Sequence, residues 1–115
     1  MFYEKSEYKK LKMKTSRDCL LCFGKCKGHD DIDEKDPVSI LIADKGVFIE
    51  RAKGPDAIVL MEQIAAYKQT DSAIVMKTTD PSAKKLALNI RMKSQRDKGC
   101  KLLEKYMPKR ETVQE

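Results

Sequence analysis

Lys84-Lys85-Leu86-Ala87-Leu88-Asn89-Ile90-Arg91-Met92-Lys93 is the stretch that decides the fold. Leu86, Leu88, Ile90 and Met92 fall on one side of an extended chain, and Asn89, Arg91 and Lys93 fall on the other. A period of two marks a strand with one face buried and the other wet. A helix signal follows at once. Ser94 is placed to cap an N-terminus, with Asp97 three residues on as a variant of the capping box. Cys100, Leu103 and Met107 recur at helical spacing, and Pro108 ends the run. A strand running into a terminal helix predicts an α+β domain. The expected architecture is a small antiparallel β-barrel or sandwich capped by one C-terminal α-helix.

Upstream, further apolar runs read as strands. Val38-Ser39-Ile40-Leu41-Ile42-Ala43 and Val47-Phe48-Ile49-Glu50-Arg51 flank Asp44-Lys45-Gly46, which reads as the tight turn of a hairpin. Lys53-Gly54-Pro55-Asp56 reads as a second turn, and Ala57–Met61 as a third strand. Glu62–Tyr67 fits either a helical turn or a strand carrying Ile64 and Tyr67 across a bulge. Ser72–Thr79 is a further strand, and Asp80-Pro81-Ser82 turns the chain into the last one. Before Pro37 the periodicity fades. Residues 19–36 read as a loop, and residues 1–18 are basic and polar, with a weak strand signal within Tyr8–Thr15. The expected division is a basic segment with a Cys-rich acidic loop at 1–37, the strands and helix at 38–109, and a flexible tail at 110–115.

A length of 115 residues suits one domain, and 41% hydrophobic against 37% charged residues suits a soluble one. No apolar run approaches the roughly 20 residues of a membrane span. The N-terminal residues show no apolar export signal, so the cysteines are expected as thiols or metal ligands and the protein in the cytoplasm or nucleus. The net charge of +6 is uneven: Pro81–Arg110 holds ten basic and two acidic residues. Such a segment would attract phosphate, an anionic membrane or an acidic peptide, or simply keep outer faces solvated.

Cys19, Cys22, Cys26 and His29 stand in the spacing C-x2-C-x3-C-x2-H. Four such ligands could close a zinc tetrahedron. On the competing reading, Leu20, Leu21 and Phe23 belong to a strand, with Cys19 and Cys22 as small hydrophobes. His29, beside Asp30 and Asp31, reads as an exposed loop histidine. With one histidine, no glycine-rich phosphate cradle and no nucleophile with a placed base, no enzyme is expected.

Three segments carry a family resemblance. They are Val38–Val47 with its strand-turn-Gly-strand pattern, Ile58–Tyr67, and Lys77-Thr78-Thr79-Asp80 followed by the alternating strand and the helical Cys100-Lys101-Leu102-Leu103. Together they resemble the phosphotyrosine-binding (PTB) domain of the pleckstrin-homology (PH) superfold, in its integrin cytoplasmic-domain-associated adaptor branch. The resemblance implies an adaptor that binds an Asn-Pro-x-Tyr-like peptide from a cytoplasmic tail or other protein by strand addition. It implies an edge at Ile64, Ala65, Ala66 and Tyr67, and a helix wall at Cys100, Leu103, Tyr106 and Met107. Leu103 and Met107 equally fit core packing. No basic pair is placed for phosphotyrosine, so unphosphorylated peptides are expected. A PH-like phosphoinositide or anionic-membrane binder is the alternative, using Lys45, Arg51, Lys53, Lys84, Lys85 and Arg91. A zinc-containing nucleic-acid module, using the cysteine cluster with Lys9, Lys10, Lys12 and Lys14, is the third reading. An open barrel edge would also permit a homodimer.

Overall fold

Among the described residues, eight antiparallel strands form one continuous sheet in the order β1-β5-β4-β3-β2-β8-β7-β6. They are β1 (Phe2–Tyr3), β2 (Leu20–Lys27), β3 (Pro37–Ala43), β4 (Gly46–Arg51), β5 (Asp56–Leu60), β6 (Ile64–Gln69), β7 (Ala73–Thr78) and β8 (Lys85–Asn89). A 3-10 turn at Met61–Gln63 precedes β6, and the helix α1 (Lys93–Tyr106) follows β8. The computed structural model describes residues 2–3, 9–10, 18–30, 32–52 and 56–107. The expected turn residues Lys53, Gly54 and Pro55 and the tail 110–115 lie outside these, as does most of the segment from Tyr8 to Thr15, of which Lys9 and Lys10 are helical.

Two meanders, β2-β3-β4-β5 and β6-β7-β8, are joined where β8 pairs with the C-terminal end of β2. β3 pairs with Leu20–Lys25 and β8 with Lys25–Lys27, so the sheet turns its corner along β2. Gly24 makes the corner passable, because a Cβ there would run into the Asn89 carbonyl. The inward side chains of both halves meet in one core. Ile40, Ile42, Val47 and Ile49 come from the first half, Ile74, Met76, Leu86 and Leu88 from the second, and Leu102 and Leu103 from α1. This is an α+β sandwich with a C-terminal helix. Its sheet stays open, because β1 and β6 are each paired on one side only among the described residues.

Strands β3, β4 and β5 are buried on both faces. Leu41, Ala43, Phe48 and Ile58 form a second cluster on their outer side. That is why β3 and β4 read as unbroken apolar runs rather than alternating ones. The second half alternates, as Leu86 and Leu88 pointing in and Lys85 pointing out show.

Three expectations are corrected. Residues 20–27 are a strand at the middle of the sheet and not a loop, so residues on both sides of position 37 build the same layer. Leu20, Cys22 and Cys26 alternate inward, a signal obscured by the outward Leu21 and Phe23. Ser94 does not cap α1. The N-cap is Met92, with no side-chain hydrogen bond, and Met92 is consequently exposed instead of continuing the buried row of β8. The connection is held by the buried Arg96, whose Nη1 donates to the Ile90 carbonyl at 2.6 Å and the Arg91 carbonyl at 2.9 Å. His29 is buried and not exposed, since the strand carries it to the β7–β8 turn, where the neighbouring Asp30 N–H donates to the Ser82 carbonyl.

Candidate functional site

β6 is the terminal strand of the second half, and both readings of its sequence are realised. The chain makes a 3-10 turn, in which the Gln63 side chain accepts the Leu60 N–H at 3.0 Å, and then enters a strand with a register shift between Ile64 and Ala66. The shift is the expected bulge, and it changes which side chains face the core. Ile64 lies opposite Thr78, but Tyr67 then lies opposite Met76 and Gln69 opposite Ile74. Tyr67 and Gln69 therefore share the inner face with Ile64, while Ala66 and Lys68 turn outward. A regular strand would have put Ala66 and Lys68 inside.

The inward turn points Tyr67 and Gln69 at α1. Tyr67 Oη donates to Glu104 Oε2 at 2.6 Å, and Gln69 Nε2 donates to Asp97 Oδ1 at 2.9 Å. Donation to Glu104, with partial burial and the nearby negative charge, pushes the Tyr67 phenol up to about 12. Asp97 also meets the Lys93 Nζ at 3.9 Å, one helical turn away. β6 thus runs antiparallel to the helix, with two side-chain bridges between them.

The hairpin at its end fixes the phase of the backbone. Thr70 N–H donates to the Ala73 carbonyl at 2.8 Å. Antiparallel pairing alternates, so Lys68 and Ala66 aim their N–H and C=O groups at β7, and Tyr67 and Gln69 aim theirs at the open edge. Those groups are the ones an added strand could meet.

The eight residues expected at a peptide groove divide in two. Ile64 and Leu103 are fully buried in the core. Ala65 and Ala66 are exposed, and Tyr67, Cys100, Tyr106 and Met107 are partly buried against the core. Tyr106 Oη donates to the Asp18 carbonyl at 2.7 Å, and Lys105 Nζ pairs with Asp18 Oδ2 at 2.6 Å, so the outer turn of the helix is tied to the chain entering β2. Asp97 and Glu104 belong to the same wall. Neither stood out in the sequence, because an acidic residue on a lysine-rich helix reads as surface.

The structure does not bring the other two sets together. Lys45 sits in the β3–β4 turn and Arg51 at the far end of β4. Lys84 and Lys85 lie at the start of β8 and Arg91 past its end, and Lys53 is outside the described residues. Cys22 and Cys26 point into the core, where burial pushes their thiols up to about 11 and about 12. Cys19 lies against the outer cluster instead. Among the described residues no three His, Cys, Asp or Glu side chains are grouped to hold a metal. No helix among them is long and apolar enough to cross a membrane.

No protein-family model matches this chain, and no curated protein matches it.

Proposed function

We propose that this domain is a peptide-binding adaptor module that takes a short linear segment as an added strand on β6. One observation carries the reading: among the described residues β6 ends the sheet, with the main-chain groups of Tyr67 and Gln69 facing outward beside α1. A peptide pairing there gains main-chain hydrogen bonds, and its alternate side chains meet the helix wall of Asp97, Cys100 and Glu104. Ala65 and Ala66, being small and exposed, leave the approach open. The resemblance to PTB domains nominates unphosphorylated Asn-Pro-x-Tyr peptides as the first ligands to try.

The test is an amide-shift NMR titration of the full chain with such a peptide and with a scrambled control. The expected result is saturable shifts confined to 64–70 and 97–107, with slowed exchange of the Tyr67 and Gln69 amides. Shifts elsewhere, or equal shifts from the scrambled peptide, would overturn the reading.

A further inference from the structure

We propose that the outer face of β2-β8-β7-β6 docks on an anionic membrane surface. The strand register assigns this face. Its positions are Lys25 and Lys27 on β2, Lys85, Ala87 and Asn89 on β8, Ala73, Val75 and Lys77 on β7, and Ala66 and Lys68 on β6. Lysine occupies five of these ten positions and a carboxylate none. All five lysines are exposed, and none forms an ion pair among the described residues.

The spacing makes this a concentrated charge. Neighbouring strands lie about 4.8 Å apart and alternate residues about 6.7 Å apart, so the five amines spring from a patch about 15 Å across. Lys77 and Lys85 lie directly opposite each other, an arrangement that destabilises a sheet through like-charge repulsion. Lys68, Lys77 and Lys85 rim a depression of about 380 Å3 that Val75 helps to line. An opposing layer of negative charge would relieve the repulsion.

The apolar surroundings select the kind of layer. Leu21, Phe23 and Met92 are the large apolar side chains left exposed among the described residues, at 62%, 75% and 57%. Leu21 and Phe23 continue the outward row of β2 beyond Lys25. Met92 follows Arg91, which lines a second depression with Phe23, Lys25 and Asn89. Leu21 and Phe23 therefore border the basic face. Leu21 is aliphatic and offers no ring on which a nucleobase could stack, but a lipid interface accepts both side chains beside the headgroups. Lysine is a compact point charge suited to a diffuse negative potential, where each one near the surface is worth about five-fold in partitioning. The face therefore reads charge density, and no headgroup is singled out.

Vesicle sedimentation of the full chain tests the proposal, with phosphatidylserine–phosphatidylcholine vesicles set against phosphatidylcholine alone. Binding is expected only to the anionic vesicles and is expected to weaken steeply with salt. The triple variant K27Q/K77Q/K85Q should lose about a hundred-fold in partitioning, at about five-fold per lysine. The double variant L21T/F23T should bind more weakly while keeping the salt dependence of the wild type. Circular dichroism checks that each variant is folded. Equal binding to neutral vesicles, or undiminished binding by the folded triple variant, would overturn the proposal. So would displacement by soluble inositol hexakisphosphate at concentrations too low to act by screening, which would mark a site for a free phosphate compound. Tighter binding to single-stranded RNA than to the vesicles would reassign the face to nucleic acid.

Discussion

Tyr67 donates a 2.6 Å hydrogen bond to Glu104, tying the terminal strand of the sheet to a helix 37 residues further along the chain. The bond holds the phenol in its neutral form and pushes its titration up to about 12. An unfolded tyrosine titrates near 10. The stabilisation is therefore complete below about pH 10 and is lost as the pH rises toward about 12. Ultraviolet titration should show Tyr67 ionising late in the native protein, and the late step should vanish in Tyr67→Phe. Because the site is exposed, the variant should cost only about 0.5 kcal/mol in urea unfolding. A native titration unchanged by Tyr67→Phe would contradict the assignment.

Gln69 should tolerate proline in the fold but not in binding. Its N–H faces the open edge, so Gln69→Pro removes no bond to β7, and an edge strand accepts a proline so placed. The same change removes a donor that an added strand needs. Peptide affinity is expected to fall by at least about five-fold, the equivalent of one main-chain hydrogen bond. Gln69→Ala separates this from loss of the Asp97 contact, since it leaves the N–H in place. If both variants bind alike, the edge is not where the peptide pairs.

At Gly99 α1 lies close against the sheet. A Cβ at this position would stand 2.8 Å from Ile74 Cδ1 and 3.0 Å from Ile42 Cδ1, both in fully buried side chains. Alanine is the better helix former by about 1 kcal/mol, while overpacking a core costs about 1–3 kcal/mol. Gly99→Ala should therefore be destabilising on balance, by about 1 kcal/mol in urea unfolding. Ile74→Val, which removes the nearest methyl, should reduce that penalty in a double-mutant cycle. A stabilised Gly99→Ala would mean the helix sits further from the sheet.

Truncating Arg96 should be costly to the fold. Its buried guanidinium satisfies the carbonyls of Ile90 and Arg91 where the chain leaves β8. Arg96→Met keeps the aliphatic stem but leaves two carbonyls without their donor, at about 2–4 kcal/mol by the cost of orphaned polar groups. Thermal unfolding should show the loss, with Arg96→Lys falling in between. A neutral Arg96→Met would place the pin elsewhere.

Much of the fold was legible because its devices are local. Asp44-Lys45-Gly46 makes a hairpin wherever apolar runs flank it, and Leu86 and Leu88 announce a half-buried strand by alternation alone. Bulged β6 was legible only as an ambiguity. Whether Tyr67 faces in or out depends on one extra residue at Ala65, and its pairing with β7 decides the matter. β2 was the main loss. Leu21 and Phe23 face solvent, Cys22 and Cys26 face the core, and that inversion resembles a metal loop more than a strand. Missing β2 also hid the basic face, because Lys25 and Lys27 join Lys85 only through the β2–β8 pairing. Arg96 looked like one more surface cation, and its role depends on the carbonyls of the preceding turn.

The four cysteines should separate sharply by reactivity. Burial holds the Cys22 and Cys26 thiols protonated far above neutral pH, up to about 11 and about 12, and burial with the nearby Asp97 raises Cys100 as well. The thiolate is the reactive form. At pH 8 a thiol reagent should modify Cys19 and Cys100, both partly exposed, well before Cys22 and Cys26. The last two should react only at the rate of unfolding, so adding urea below the transition should accelerate them and leave Cys19 nearly unchanged. Zinc supplied beforehand should protect none of them in the native state, because Cys22 and Cys26 would have to leave the core to reach it. Stoichiometric zinc protection of Cys19, Cys22 and Cys26 together would show that β2 opens to bind metal, and the strand would then have to be read as a switchable segment.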